Sequence, residues 1–146
     1  MTVIAAPQTS ATSQQLTVSG AATATEAAHL RRRIGEWLSD RGVPDVQRND
    51  ILMAVNEALA NCVDHAYTDH PAAGPMTVRA DFEPATQSLS VCVTDHGSWR
   101  PPSAPRPNDP RGRGVALMHA LTDHCTISGR RDGTTVCLDY RCGAGI

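Results

Sequence analysis

Apolar residues recur along this chain with two different periods, and the changes of period mark its elements. Leu16 and Val18 alternate with polar neighbours, which predicts a short strand over Gln15 to Ser19. Thr23 and Glu26 have capping-box spacing and open a helix that runs to about Asp40, with Gly42 as its stop. Pro44-Asp45 starts a second helix reaching about Tyr67. Period two then returns: Met76, Val78, Ala80 and Phe82 alternate with polar residues, as do Leu89, Val91 and Val93, with Pro84 to Gln87 between them. That pattern predicts a hairpin with one buried face. Ser98 to Arg113 breaks the rhythm, holding five of the ten prolines and no periodic apolar face. A segment of that kind inside one domain predicts a lid or binding loop. A short apolar helix follows from Gly114 to about Thr122. A last hairpin, His124 to Arg130 and Thr134 to Arg141, turns at Asp132-Gly133. The order predicts an α+β fold, a two-layer sandwich with helices on one face of a mostly antiparallel sheet.

The second helix carries the most informative pattern. Leu52, Val55, Leu59, Val63 and Ala66 form one stripe on a helical wheel, with Glu57, Asn61 and Asp64 opposite, flanked by Ala54 and Ala60. A solvated helix back carries more charge than this. The polar face reads either as the wall of a site, where a carboxylate and a carboxamide take a proton and hold an ion, or as a shallow surface back.

Composition narrows the chemistry. The chain has 146 residues, enough for one domain with a real core, and aromatic residues make up only 3%. Met1 to Gln14, rich in Ala, Thr, Ser and Gln, predicts a flexible tail before a domain spanning 15–146. A net charge of −2 argues against direct nucleic-acid binding. All 13 basic residues are arginine, so Walker-A, Schiff-base and Ser-Lys chemistry are excluded and any phosphate grip falls to arginine and backbone N–H groups. The five cysteines form no C-x-x-C, and no leader or long apolar run is present; this predicts reduced thiols in a cytoplasmic protein that does not enter a membrane.

Two more junctions join the Glu57/Asn61 face. Asp95-His96-Gly97 ends a buried strand, where a carboxylate reaches a ligand and glycine lets backbone approach closely; alone, the motif is also an ordinary turn. Arg111-Gly112-Arg113-Gly114 leads into a helix, and glycine, free N–H donors and guanidinium groups suit phosphate; the alternative is an arginine-rich loop with no ligand. His119, His124 and Cys125 match no strong zinc spacing.

In order and spacing these junctions resemble the anti-sigma-factor serine/threonine kinases, small bacterial members of the ATP-binding group that includes gyrase, Hsp90, histidine kinases and MutL. The likeness covers Ala22 to Arg141. The stretch Glu57-Ala-Leu-Ala-Asn61-Cys-Val-Asp-His65-Ala-Tyr67 resembles the family's N-box, Asp95-x-Gly97 its adenine motif, Arg111-Gly112-Arg113-Gly114-Val115 its second glycine box, and Gly133-Thr134-Thr135-Val136 its terminal motif. The resemblance implies a Bergerat-type fold with ATP and Mg²⁺ as ligands. It implies Asn61 on the metal, Glu57 as general base, Asp95 accepting from the adenine amino group, and His65, Gly97, Arg111 to Val115, Thr134 and Thr135 around the nucleotide. It further implies an anti-anti-sigma factor as protein substrate, a sigma factor as second partner, and a homodimer. Trp99 departs from the family pattern, standing where the adenine motif often has a second glycine. That leaves open a second reading, a nucleotide-binding partner-switch module with little turnover.

Overall fold

Strand alternation places one row of apolar side chains inward, and the sheet assembles around that row. In the computed structural model, residues 14–98 and 110–142 are described. The expected N-terminal tail up to residue 13 and most of the expected lid, 99–109, lie outside them. The elements are β1 (Gln15–Ala21), α1 (Ala24–Asp40), α2 (Asp45–Asn61), a π-helical turn (Cys62–Ala66), β2 (Pro75–Glu83), β3 (Ser88–Asp95), α3 (Pro110–Ala120), β4 (His124–Arg130) and β5 (Gly133–Arg141). The five strands run in the order β1-β2-β3-β5-β4, every neighbouring pair antiparallel. Gln14 already belongs to the sheet edge, since its carbonyl accepts from Phe82 N at 2.8 Å.

Register explains the core. Val78, Val93 and Val136 stand side by side across β2, β3 and β5, as do Ala80, Val91 and Leu138. All six are buried against Ile34, Leu38, Ile51, Val55 and Leu59 of the helices. Removing such side chains from water is the main stabilising term, about 1.5–3 kcal/mol for each large one. Among the described residues no helix covers the opposite face, which carries the intervening residues Arg79, Cys92, Cys137 and Thr126, joined in one row by register.

Local chemistry fixes the helix starts. Thr23 caps α1, its Oγ1 accepting from Glu26 N at 3.2 Å. On α2 the buried stripe is Ile51, Ala54, Val55, Ala58 and Leu59, continued by Cys62 of the π-helical turn and rotated toward Asn61 from the predicted one; Leu52 instead packs on Gly35 of α1. Asp64 is exposed and does not share the Glu57/Asn61 face.

Three further expectations change. α2 does not run regularly to Tyr67 but widens into the π-helical turn after Asn61, a distortion frequent at functional sites. α3 begins at Pro110, so Arg111 to Gly114 form its first turns instead of a loop before it; proline is suited to a helix start. The cysteines are not all reduced: Cys92 and Cys137, directly opposed on β3 and β5 with Cα atoms 4.1 Å apart, form a disulfide. Cys62, Cys125 and Cys142 are free and buried.

Candidate functional site

The candidate site joins the C-terminal end of β3 and the π-helical turn, which touch, to α2, whose Glu57 meets the start of α3. Inward alternation along β3 ends on Asp95, which is 2% exposed and sits in register between Met76 of β2 and Thr134 of β5. A carboxylate buried this deeply needs donors. Gly97 N donates to Asp95 Oδ1 at 2.9 Å, and Cys62 Sγ donates to Oδ2 at 3.8 Å. Burial and the neighbouring Asp95 charge push the Cys62 thiol well above its ordinary range, so it stays protonated and able to donate. Each carboxylate oxygen has two lone pairs, so Asp95 retains acceptor capacity for a ligand.

Close backbone packing holds this corner. A Cβ on Gly97 would stand 2.0 Å from the Ala66 carbonyl oxygen, and that same oxygen accepts from Ser98 N at 2.7 Å. A Cβ on Gly133 would stand 2.2 Å from the Asp95 carbonyl oxygen. Glycine is required at both places by lack of room. Tyr67 adds a strut: its hydroxyl donates to Pro75 O at 2.5 Å and accepts from His96 N at 2.9 Å.

Glu57 and Asn61 lie one turn apart on α2, and Glu57 faces α3 at Gly114. A Cβ on Gly114 would stand 2.8 Å from Glu57 Oε1, so the glycine leaves the space this carboxylate occupies. Val115 and Met118 anchor α3 on the core beside it. Asn61 is 8% exposed, and its Nδ2 is buried with no hydrogen-bond partner among the described residues. Such a group is costly unless something satisfies it. A buried amide nitrogen without a partner among the described residues fits a polar ligand, and the oxygen of the same amide fits a hard cation that takes only one or two protein ligands beside phosphate.

The predicted candidates therefore divide. Asp95, Gly97 and Thr134 come together at one end of the sheet, against the turn that follows Asn61, while Gly114 meets Glu57 one helical turn before Asn61. Thr134 is 1% exposed beside Asp95. His65 stands half-buried on the π-helical turn that follows Asn61. Arg111, Gly112 and Arg113 lie on the first turns of α3, where free N–H groups gather. Thr135 does not join the cluster: it faces the helix-free side, its Oγ1 3.3 Å from Thr94 Oγ1. Cys62 and the Ala66 carbonyl were missed by sequence reasoning. Cys62 was visible as the residue continuing the buried stripe next to Asn61; a backbone carbonyl carries no sequence signal.

Residues 20–140 match the histidine kinase-like ATPase domain, and the chain belongs to that family. The match makes this a nucleotide-binding domain of the ATPase kind, the group to which the anti-sigma-factor kinases resembled by the sequence belong. The chain is similar to the RsbU and RsbW domains of Rv1364c from Mycobacterium tuberculosis, with 26% identity and a TM-score of 0.70 over 88% of this chain and 32% of that one. It is also similar to a blue-light activated histidine kinase from Erythrobacter litoralis EL346, with 26% identity and a TM-score of 0.56 over 68% of this chain and 31% of the other. The chain thus spans about a third of the length of each. The SiaB-SiaC complex from Pseudomonas aeruginosa shares the fold, with a TM-score of 0.64 at 15% identity over 89% of this chain and 92% of that one. No helix among the described residues is long and apolar enough to cross a membrane.

Proposed function

We propose that the protein is an ATP-dependent serine/threonine protein kinase and anti-sigma factor in a cytoplasmic partner switch. It phosphorylates an anti-anti-sigma factor and sequesters a sigma factor. The observation that carries this reading is the placement of Glu57 against Gly114, which sets a carboxylate beside the N-terminal turns of α3. The similarity to the RsbW domain and the shared fold of SiaB in the SiaB-SiaC complex support the partner-switch class, and a homodimer is part of the reading.

The roles divide along the site. Asp95 accepts from the adenine amino group, while Gly97 and Thr134 shape the wall against the base. The free N–H groups of α3, with Arg111, Gly112, Arg113, Gly114 and Val115 on its first turns, meet the phosphates, aided by the positive end of the helix. His65 closes the side between them. Asn61 Oδ1 would hold Mg²⁺, which when bound supplies neutralisation of phosphate charge. Glu57 orients the substrate hydroxyl and takes its proton as the oxygen attacks the γ-phosphorus; the bond to the β-phosphate oxygen breaks and ADP leaves.

A second reading has one observation in its favour. Trp99 replaces the small residue that often follows the adenine motif, which suits a module that binds nucleotide and partner with little turnover. Labelled ATP and the antagonist protein separate the two. Phosphoserine or phosphothreonine on the antagonist, lost with Glu57→Ala, supports the kinase; tight antagonist binding without transfer supports the module.

A further inference from the structure

The helix-free sheet face holds chemistry that phosphoryl transfer does not use. Cys92 and Cys137 occupy the middle of one cross-strand row, Thr17–Arg79–Cys92–Cys137–Thr126. Both are half-buried, unlike the three buried free cysteines. A groove of about 490 Å³ reaches Cys92 from the β2 side, lined by Thr77, Arg79, Thr94, His96 and Thr135 among others. Arg79 is cross-strand neighbour to Cys92, and its Nε lies 3.2 Å from Asp81 Oδ2, leaving the rest of its guanidinium on an exposed side chain. The bond ties two strands that already share a continuous antiparallel ladder.

We propose that Cys92–Cys137 is a reversible thiol–disulfide exchange site for anionic low-molecular-weight thiols, and that it sets the rigidity of the strand pair carrying Asp95 and Thr134. Exchange requires the incoming sulfur to lie in line with the bond it breaks. The bond runs from β3 to β5, so in-line attack on Cys92 comes from the β2 side, where the groove lies. Arg79 there attracts a thiol bearing carboxylates. The thiolate attacks Cys92 Sγ, a mixed disulfide forms, and the electron pair of the broken bond passes to Cys137 Sγ, which takes a proton from water. A second thiolate attacks the small thiol's sulfur in the mixed disulfide, releasing the oxidised small-molecule disulfide and the Cys92 thiol. Two thiols are oxidised and one protein disulfide is reduced; excess small-molecule disulfide drives the reverse.

The consequence follows from register. Cys92 and Cys137 are three residues from Asp95 and Thr134, and the Val93–Val136 and Thr94–Thr135 pairs lie between. Breaking the covalent rung leaves the ladder intact but lets its site end open more often. The weight of this for nucleotide binding rests on the proposed function, whereas the chemistry and the strand opening do not.

The full-length protein is equilibrated in glutathione buffers of varied reduced-to-oxidised ratio, without denaturant, then alkylated and weighed. Hydrogen exchange is followed in parallel. Native alkylation should rise from zero to two labels, on Cys92 and Cys137. Amides of Asp95 to Gly97 and Thr134 to Thr135 should exchange about threefold or more faster in the reduced form. A Cys92→Thr/Cys137→Thr variant should match the reduced form in every buffer. Arg79→Gln should slow reduction by glutathione about threefold and leave reduction by uncharged 2-mercaptoethanol unchanged. Thiols that stay protected until the protein is unfolded, equal exchange in both redox states, or an Arg79→Gln effect equal for both thiols would each overturn the proposal.

Discussion

The two walls of the site are made in opposite ways. The Asp95 wall is closed by main chain: Gly97 against the Ala66 carbonyl, Gly133 against the Asp95 carbonyl, and the Tyr67 hydroxyl between Pro75 and His96. The Glu57 wall is made by side chains across a helix pair, with Gly114 clearing room for one carboxylate oxygen. A flat base is suited by a fixed wall, because selectivity comes from acceptors that do not move. A protein hydroxyl and a phosphate are suited by a wall whose groups can turn.

This difference gives the largest expected effect. Gly97→Ala must displace backbone, so it should cost about 2–4 kcal/mol and lower Tm by roughly 6–15 °C. Gly114→Ala meets only the end of the Glu57 side chain, so it should change Tm by no more than about 2 °C while slowing transfer. Thermal unfolding of both variants checks the contrast; equal losses of Tm would mean that the walls are equally rigid.

Asn61→Ala should weaken ATP binding about tenfold in the presence of Mg²⁺ and much less in its absence. Titration calorimetry with and without the metal measures it. Little loss of Tm should accompany the change, because the deleted amide nitrogen has no partner among the described residues. Asp95→Asn should have a smaller effect, a fall of about tenfold or less in preference for ATP over GTP, since an amide also donates to a guanine carbonyl. Competition binding reads that ratio, and an unchanged ratio would remove Asp95 from base reading.

Much of this was legible in the sequence because it rests on local rules. Period two in Met76 to Val93 gave the first hairpin, the Asp132-Gly133 turn the last, the Thr23/Glu26 spacing gave α1, and the Glu57-to-Tyr67 stretch gave the site helix. What escaped the sequence depends on three-dimensional register. The π-helical turn after Asn61 has no composition signal of its own. Alternation alone sends Thr134 inward and Thr135 outward, but the shared motif hid the difference. Cys92 and Cys137 are separated by 45 positions, and only the β3–β5 register makes them opposite. The start of α3 at Pro110 was obscured because five prolines together read as loop, although the last of them sits well at a helix start.

The central claim is that Glu57 acts on the chemistry and not on nucleotide binding. The most direct test measures phosphate transfer to the antagonist protein by Glu57→Ala, with ATP affinity measured on the same preparation. Transfer should fall about 10²–10⁴-fold while ATP affinity changes by less than about threefold. Transfer at the wild-type rate, or a loss of ATP binding that accounts for the whole defect, would contradict it.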